Sequence, residues 1–159
     1  YNVPGRTASN ILPETIARLA KIKNIVAVKE ASGNLGQISE VIRTTPDDFL
    51  VYSGDDALTL PILAIGGRGI ISVASHIIGR QMQAMVTAFY NGETQKAEEL
   101  HRQVVPFCKA MFITTNPIPV KAAVNILGFK AGPTRLPLVA PTSQEIDIIT
   151  RAMQAVGTI

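Results

Sequence analysis

An alternation of strand-like and helix-like segments runs through the first part of the chain and restricts the folds it can adopt. Short apolar runs are separated by segments whose apolar residues recur at helical spacing; the runs lie at residues 25–28, 49–52 and 70–74 and the helical segments at 10–22, 35–43, 57–65 and 78–90. Each unit takes about 20 to 25 residues, a rhythm typical of parallel sheets with crossover helices. Whether that sheet is open or closed into a barrel is left undecided by the pattern.

The strand signals stop after residue 92. Residues 93–113, 119–127 and 143–156 have helical periodicity, whereas 128–141 is too rich in glycine and proline for regular structure. We therefore expect two domains: residues 1–92, which carry the strands, and residues 93–159, a small helical domain.

Composition excludes several classes of protein. With 159 residues, 47% of them hydrophobic, the chain has ample material for a core. Its longest apolar runs are much shorter than the roughly 20 residues that span a bilayer, so no membrane segment is expected. Residues 1–7 contain neither an initiator methionine nor a basic segment leading into an apolar stretch, so we expect an internal start and no signal peptide. The single Cys108 cannot form an intrachain disulfide, which fits a cytoplasmic location.

Charge and histidine content exclude two further classes of ligand. A net charge of +3 arises from 15 basic and 12 acidic residues that are scattered without a basic stripe, so nucleic acid is not an expected partner. His76 and His101 lie on separate predicted elements, without acidic or cysteine partners at ligand spacing. No metal site is expected.

Lys29 is the leading candidate for chemistry. It follows residues 25–28, which are apolar at consecutive positions and so predict a buried parallel strand. In parallel α/β folds, ligands bind at the carboxyl end of the strands because the loops leaving them surround a pocket. An ammonium group drawn partly into apolar surroundings loses hydration, which favours the neutral amine that attacks carbonyl carbons. A lysine that merely caps a strand and reaches solvent along its methylene stem is the simpler alternative.

Other predicted strand ends also carry polar or glycine residues. They are Tyr1 with Asn2, residues 53–55, and Ser72 with its neighbours. A barrel would bring these ends around one mouth, together with a lysine amine, a phenol and an arginine. Such groups are the parts of an enzyme that forms imines with carbonyl compounds.

Five ordered motifs span the whole chain: residues 1–7 (YNVPGRT), 28–33 (VKEASG), 52–56 (YSGDD), 66–73 (GGRGIISV), and 116–121 (NPIPVK) continuing through 135–138 (RLPL). Together they resemble the 4-hydroxy-tetrahydrodipicolinate synthases, also called dihydrodipicolinate synthases. That family is a (β/α)₈ TIM barrel with a C-terminal helical domain. The resemblance implies an α/β chain that corresponds to the second half of the barrel, from the end of its fifth strand, followed by the helical domain.

The resemblance also implies a reaction, the condensation of pyruvate with aspartate 4-semialdehyde on the way to diaminopimelate and lysine. Lys29 matches the family's Schiff-base lysine, which holds pyruvate as an imine and then as an enamine, so no metal or organic cofactor is implied. Tyr1 matches the proton-shuttling tyrosine. A phenol is a poor acid or base at neutral pH and needs a hydrogen-bonded relay, which the family supplies from its first half through a threonine and a second tyrosine.

Four further residues match substrate-binding positions. Arg6 matches an arginine that holds a substrate carboxylate, a task to which its planar fork is suited. Ile71 matches a residue whose main chain contacts pyruvate, and Gly54 with Asp55 matches a loop lining the same pocket. Simpler interpretations stay open: Ile71 as a core strand residue, Gly54 as a turn and Asp55 as a helix cap.

Two alternatives to the synthase remain. Related imine-forming aldolases such as N-acetylneuraminate lyase share the fold, the lysine and the tyrosine, but Arg6 and residues 116–119 resemble the synthases better. Alternatively, the polypeptide is a structural half that is inactive alone, because half a barrel leaves strand edges unpaired. By resemblance the whole enzyme is a homotetramer.

Overall fold

The computed structural model describes all 159 residues and divides them into two compact units, Tyr1–Ser72 and Val73–Ile159. The first unit contains α1 (Pro4–Thr7), α2 (Pro13–Leu19), β1 (Ala27–Glu30), α3 (Leu35–Thr44), β2 (Leu50–Ser53), a 3₁₀ turn (Asp56–Leu58), α4 (Thr59–Ala64) and β3 (Gly69–Ile70). The second contains α5 (Ser75–Tyr90), α6 (Thr94–Ala110), α7 (Ile118–Ile126) and α8 (Ser143–Ala155).

The three strands form one parallel sheet in the order β1-β2-β3. Lys29 lies in register with Tyr52, and Ser53 with Ile70. On the outer side of β1, Asn2 forms an isolated parallel bridge with Glu30. Strands that follow one another in the chain are therefore neighbours in space, and the expected parallel sheet with crossover helices is confirmed.

Helices pack on one face of this sheet. Val28 of β1 and Val51 of β2 belong to the same buried cluster as side chains from α2, α3 and α4, namely Ile16, Ile38, Val41 and Ile62, together with Phe49. Burying a side chain of this size stabilises a fold by about 1.5 to 3 kcal/mol. This cluster fixes which face of each strand points to the helices.

Burial along β1 alternates, which differs from the sequence expectation. Val28 and Glu30 are buried, whereas Ala27 and Lys29 are only partly buried. Consecutive apolar residues had predicted a strand covered on both faces, but the helices of the first unit pack on one face only. Lys29 lies on the face without helices.

Several predicted bounds also need correction. The strand expected at 25–28 is Ala27–Glu30, so Lys29 lies inside it, and the strand expected at 70–74 is only Gly69–Ile70. Residues 4–7 form one helical turn with Pro4 at its first position, where proline's missing N–H costs nothing. In α2 only Ile16 is buried, and Leu19 is exposed.

The helical elements that follow β1 and β2 begin at side-chain caps. The Asn34 side-chain carbonyl accepts a hydrogen bond from the Gln37 backbone N–H at 3.0 Å and so starts α3. The Asp55 carboxylate accepts one from the Ala57 N–H at 2.9 Å and starts the 3₁₀ turn. The interpretation of Asp55 as a cap is thereby confirmed.

The second unit is helical, and the absence of strands after residue 92 is confirmed. Its largest fully buried side chains come from α5, α6, the residue after α6, and α8: Ile78, Met85, Val104, Phe107, Met111, Ile149 and Met153. Residues 128–141 contain no helix or strand, as their glycine and proline content predicts. The predicted domain boundary after residue 92 stays a prediction. Within this unit α5 packs against α6. None of the eight helices is both long and apolar enough to cross a membrane.

His101 makes the stability of this unit depend on pH. Burial lowers the pKa of its imidazole, and its Nδ1 atom is buried without a hydrogen-bond partner. The unfolded chain keeps the ordinary pKa of about 6.5, so below that pH the unfolded state binds more protons. The free energy of unfolding will therefore fall as the pH drops from about 7 towards the lowered folded-state pKa.

The measurement is urea unfolding at about pH 7.5 and about pH 5.5, where a histidine changes its charge. We expect His101→Gln to lose less stability on acidification than the wild type. His76→Gln is the matched control because His76 is exposed. Equal acid sensitivity of wild type and His101→Gln would refute the assignment.

Candidate functional site at the end of strand β1

Lys29 and Tyr1 lie against each other. The Lys29 Nζ atom lies 4.3 Å from the centroid of the Tyr1 ring, a distance at which an ammonium is attracted to an aromatic face. The backbone creates this contact: the Asn2 N–H donates to the Lys29 carbonyl at 2.9 Å, and the Ala31 N–H donates to the Asn2 carbonyl at 2.8 Å. None of the salt bridges in the chain involves Lys29. Its amine therefore has an aromatic neighbour and no carboxylate partner.

Gly54 is adjacent to Lys29 on the other side. Its N–H donates to the Glu30 carbonyl at 2.7 Å, which brings the backbones after β1 and β2 close together. A Cβ at position 54 would lie 2.7 Å from the Ala31 Cβ and 3.1 Å from the Lys29 Cε. Glycine is thus required for the close approach, and the Lys29 stem lies against it.

Tyr52 is a site neighbour that sequence reasoning missed. It is the register partner of Lys29 and, like Lys29, is partly buried, whereas the flanking Val51 and Ser53 are buried. Register partners of a parallel pair share a face, so Tyr52 lies beside Lys29 on the face without helices. Counting both strands at a period of two could have found it.

The remaining predicted site residues are Ile71, Asp55 and Arg6. The Ile71 N–H donates to the Ser53 carbonyl at 3.0 Å, next to Gly54, and the Ile71 side chain is 48% exposed. The simpler interpretation of Ile71 as a core residue is therefore wrong. One carboxylate oxygen of Asp55 accepts the capping hydrogen bond from the Ala57 N–H. Arg6 is exposed on the short helix α1.

A buried polar pair lies on the opposite face of the sheet, and sequence reasoning missed it as well. Asn2 is 1% exposed and Glu30 is 0% exposed. The Asn2 Nδ2 atom donates to both carboxyl oxygens of Glu30, at 3.0 and 3.2 Å. The signal was available: alternation along β1 places Glu30 on the same side as Val28, where a polar residue is unusual.

The motif at residues 116–121 has a structural role within the helical unit. Lys121 of α7 donates from Nζ to the Pro133 carbonyl at 2.8 Å, and the Asn125 side-chain oxygen accepts from the Ala131 N–H at 2.9 Å. These bonds attach the irregular segment to α7. Elsewhere, no three His, Cys, Asp or Glu side chains cluster in a way that could hold a metal ion.

The fold and the site define an α/β protein with a parallel sheet, helices on one face, and a lysine without a carboxylate partner near the carboxyl end of a strand. Residues 1–156 match the model of the dihydrodipicolinate synthetase family. The chain belongs to that family.

Individual relatives agree with this assignment. The 4-hydroxy-tetrahydrodipicolinate synthase of Moorella thermoacetica is 55% identical over all 159 residues, which cover 54% of that protein. The chain spans about half the length of the curated relatives it matches. Among solved structures, the enzyme of Cyanidioschyzon merolae with lysine bound matches with a TM-score of 0.97 at 47% identity, over 100% of this chain and 54% of that one. The chloride-inhibited enzyme of Acinetobacter baumannii complexed with pyruvate matches with a TM-score of 0.94 at 33% identity, over 100% and 55%.

Proposed function

We propose that this chain forms the Schiff-base half of a 4-hydroxy-tetrahydrodipicolinate synthase, a lyase that condenses pyruvate with aspartate 4-semialdehyde. The contact that carries the proposal is the Lys29 amine, which lies over Tyr1 and beside Gly54 without a carboxylate partner. The names of the relatives support the synthase over a sugar-acid lyase. The pyruvate bound to the Acinetobacter baumannii enzyme supports the first substrate.

The chemistry starts from the free amine of Lys29. Its nitrogen adds to the ketone carbon of pyruvate, and the ketone oxygen leaves as water to give an imine. The imine is an electron sink, so the pyruvate methyl group can lose a proton and become an enamine carbon. That carbon then adds to the aldehyde carbon of the second substrate, whose oxygen takes up a proton.

The other site residues would hold the substrates and move protons. The Tyr1 phenol is adjacent to the Lys29 amine. It would carry protons to and from the pyruvate-derived group on the imine nitrogen, through a relay supplied by the rest of the barrel. Arg6 would bind a substrate carboxylate through its planar fork. Gly54, Asp55 and Ile71 would line the pyruvate pocket with their main chains.

The proposed architecture is the second half of a (β/α)₈ barrel, residues 1–92, followed by the helical domain, residues 93–159. Two features support a barrel over an open doubly wound sheet. Strand order follows chain order without reversal, and the buried cluster joins the helices to one face only, whereas doubly wound sheets carry helices on both faces. Assembly into a homotetramer in the cytoplasm belongs to the same proposal, and Cys108, which is buried and in no disulfide, agrees with a reducing compartment.

Borohydride trapping tests the proposal. Pyruvate and sodium borohydride are added to a full-length family chain that carries these 159 residues, and intact-protein and peptide mass spectrometry then locate any reduced adduct. We expect one pyruvyl group, on Lys29. If the folded full-length chain gains no adduct, the proposed function is wrong.

The 159 residues alone provide the companion measurement. We expect no synthase turnover from them, because the sheet face that carries Lys29 lacks a covering layer and Tyr1 has no relay. Appreciable turnover by the purified 159-residue chain would contradict the half-barrel assignment.

A further inference from the structure

The pair formed by Asn2 and Glu30 lies directly behind the proposed Schiff-base site. Tyr1 precedes Asn2 and Lys29 precedes Glu30, and successive residues of extended chain point to opposite faces. The buried pair and the reactive pair are therefore two sides of the same backbone bridge. Whatever fixes one pair relative to the bridge also fixes the other.

No positively charged side chain forms a salt bridge with Glu30. Its carboxyl group accepts from the Asn2 Nδ2 atom through both oxygens and from the Ser32 N–H at 2.7 Å. A carboxyl group at 0% exposure is costly to bury, and an apolar residue would suit the neighbouring core better. The cost of burying this carboxyl group indicates that its hydrogen bonds are needed to fix the backbone geometry at the end of β1.

Asn2 satisfies its other groups at the same time. Its Nδ2 atom also donates to the Asn10 side-chain oxygen at 3.0 Å, and its Oδ1 atom accepts from the Ile11 N–H at 3.0 Å. Asn10 in turn donates to Gln37 of α3 at 2.7 Å. A continuous polar network therefore connects the bridge at β1 with the entry to α2 and with α3.

We infer that Asn2 and Glu30 are positioning residues for imine formation: their side-chain pair fixes the bridge that sets the Lys29 amine against Tyr1. The inference rests on the proposed function. Neither residue touches the reacting atoms, and both act through the backbone of their neighbours. Loss of the pair would leave Lys29 in place chemically but free to shift, and a misplacement of about 1 Å can cost on the order of 100-fold in rate.

Glu30→Gln is the sharpest single change. It keeps the size of the side chain but turns an amide donor towards the Asn2 donor. In a full-length family chain that carries these residues, we expect the rate of borohydride-trapped adduct formation at saturating pyruvate to fall by about 10- to 100-fold. The pyruvate concentration for half-maximal rate should change less, because the pair does not contact substrate.

Two further variants separate positioning from stability. Val41→Ala is the matched control, since Val41 is a fully buried residue of α3 whose loss weakens the same core without altering the polar pair. The exchange Asn2→Asp with Glu30→Gln restores one donor facing one acceptor and conserves net charge. The bond to Asn10 is regained when the amide groups of Asn10 and Gln37, which are bonded to each other, both turn over. We expect the exchange to recover most of the adduct rate.

The outcomes are distinct. If the wild type forms no adduct, the proposed function fails and this inference fails with it. If the wild type forms the adduct and Glu30→Gln forms it as fast as Val41→Ala at equal folded fraction, only the positioning role is wrong. If Glu30→Gln does not fold, the exchanged pair decides: a folded exchange variant with a wild-type rate supports the role, and a slow or unfolded one overturns it.

Discussion

Lys29→Ala will form no borohydride-stable adduct with pyruvate and will have no measurable synthase turnover. The methyl group that remains has no nitrogen to attack the ketone, so the covalent route is lost rather than slowed. Lys29→Arg should behave in the same way although it keeps a positive charge over Tyr1, because a guanidinium stays protonated and does not form the imine. The measurement is intact-protein mass spectrometry after pyruvate and borohydride, on a full-length family chain that carries these residues.

Two controls make this result specific. Lys23→Ala removes a neighbouring, exposed lysine just before β1 and should leave the adduct intact. Circular dichroism should show that Lys29→Ala is folded, since Lys29 forms no salt bridge whose loss would destabilise the sheet. An adduct that persists in Lys29→Ala would move the imine to another lysine and remove the central residue from the proposed site.

Most helices and the parallel sheet could be predicted from local sequence patterns. Amphipathic spacing found α3, α5, α6, α7 and α8, and the alternation of runs found the parallel sheet. The pattern could not give the true extent of β3, because Ile71 and the residues after it are as apolar as a strand but Ile71 makes only one further ladder bond, to Ser53. Strand length depends on a neighbour being present, which one strand's sequence does not encode.

The burial of β1 was misjudged for a related reason. Apolar residues at consecutive positions predict a strand covered on both faces. Ala27 and Lys29 are only partly buried because the helices of the first unit pack on the other face of β1. The sequence has the apolar pattern of a strand covered on both faces, and the helices of the first unit cover one of them.

Only some residues of the candidate site could be predicted from the sequence. Lys29, Tyr1 and Gly54 were found from predicted strand ends and from motif resemblance, and the structure places Lys29 next to both of the others. Asn2 and Glu30 were overlooked because polar residues near a loop are ordinarily solvated. Their burial depends on a bridge between positions 28 residues apart, and no local pattern encodes such a pairing.

Gly54→Ala will both destabilise the sheet and slow imine formation. The added Cβ would lie 2.7 Å from the Ala31 Cβ, 3.1 Å from the Lys29 Cε and 3.2 Å from the Glu30 carbonyl oxygen. Backbone atoms cannot yield easily, because the Gly54 N–H is bonded to that carbonyl at 2.7 Å. Overpacking of this kind costs about 1 to 3 kcal/mol. The flexible Lys29 side chain is the contact that yields most easily, and its movement shifts the amine from its position over the Tyr1 ring.

Gly5→Ala is the matched control. Gly5 lies in α1, and a methyl group added there would have no atom within 4 Å, so the same substitution should leave both the unfolding midpoint and the adduct rate close to wild type. Thermal or urea unfolding and the rate of pyruvate trapping are measured on each variant in the full-length chain. Unchanged values for Gly54→Ala would mean that strand ends β1 and β2 are looser than the 2.7 Å bond implies.

The double variant Gly54→Ala with Ala31→Gly separates the two effects. It removes the nearest clash, that with the Ala31 Cβ, but keeps the 3.1 Å contact with the Lys29 Cε. We therefore expect part of the lost stability to return while the adduct rate stays low. If stability and adduct rate both recover, Gly54 acts on strand spacing alone. If stability recovers and the adduct rate does not, the absence of a side chain at Gly54 is what allows the Lys29 stem its position.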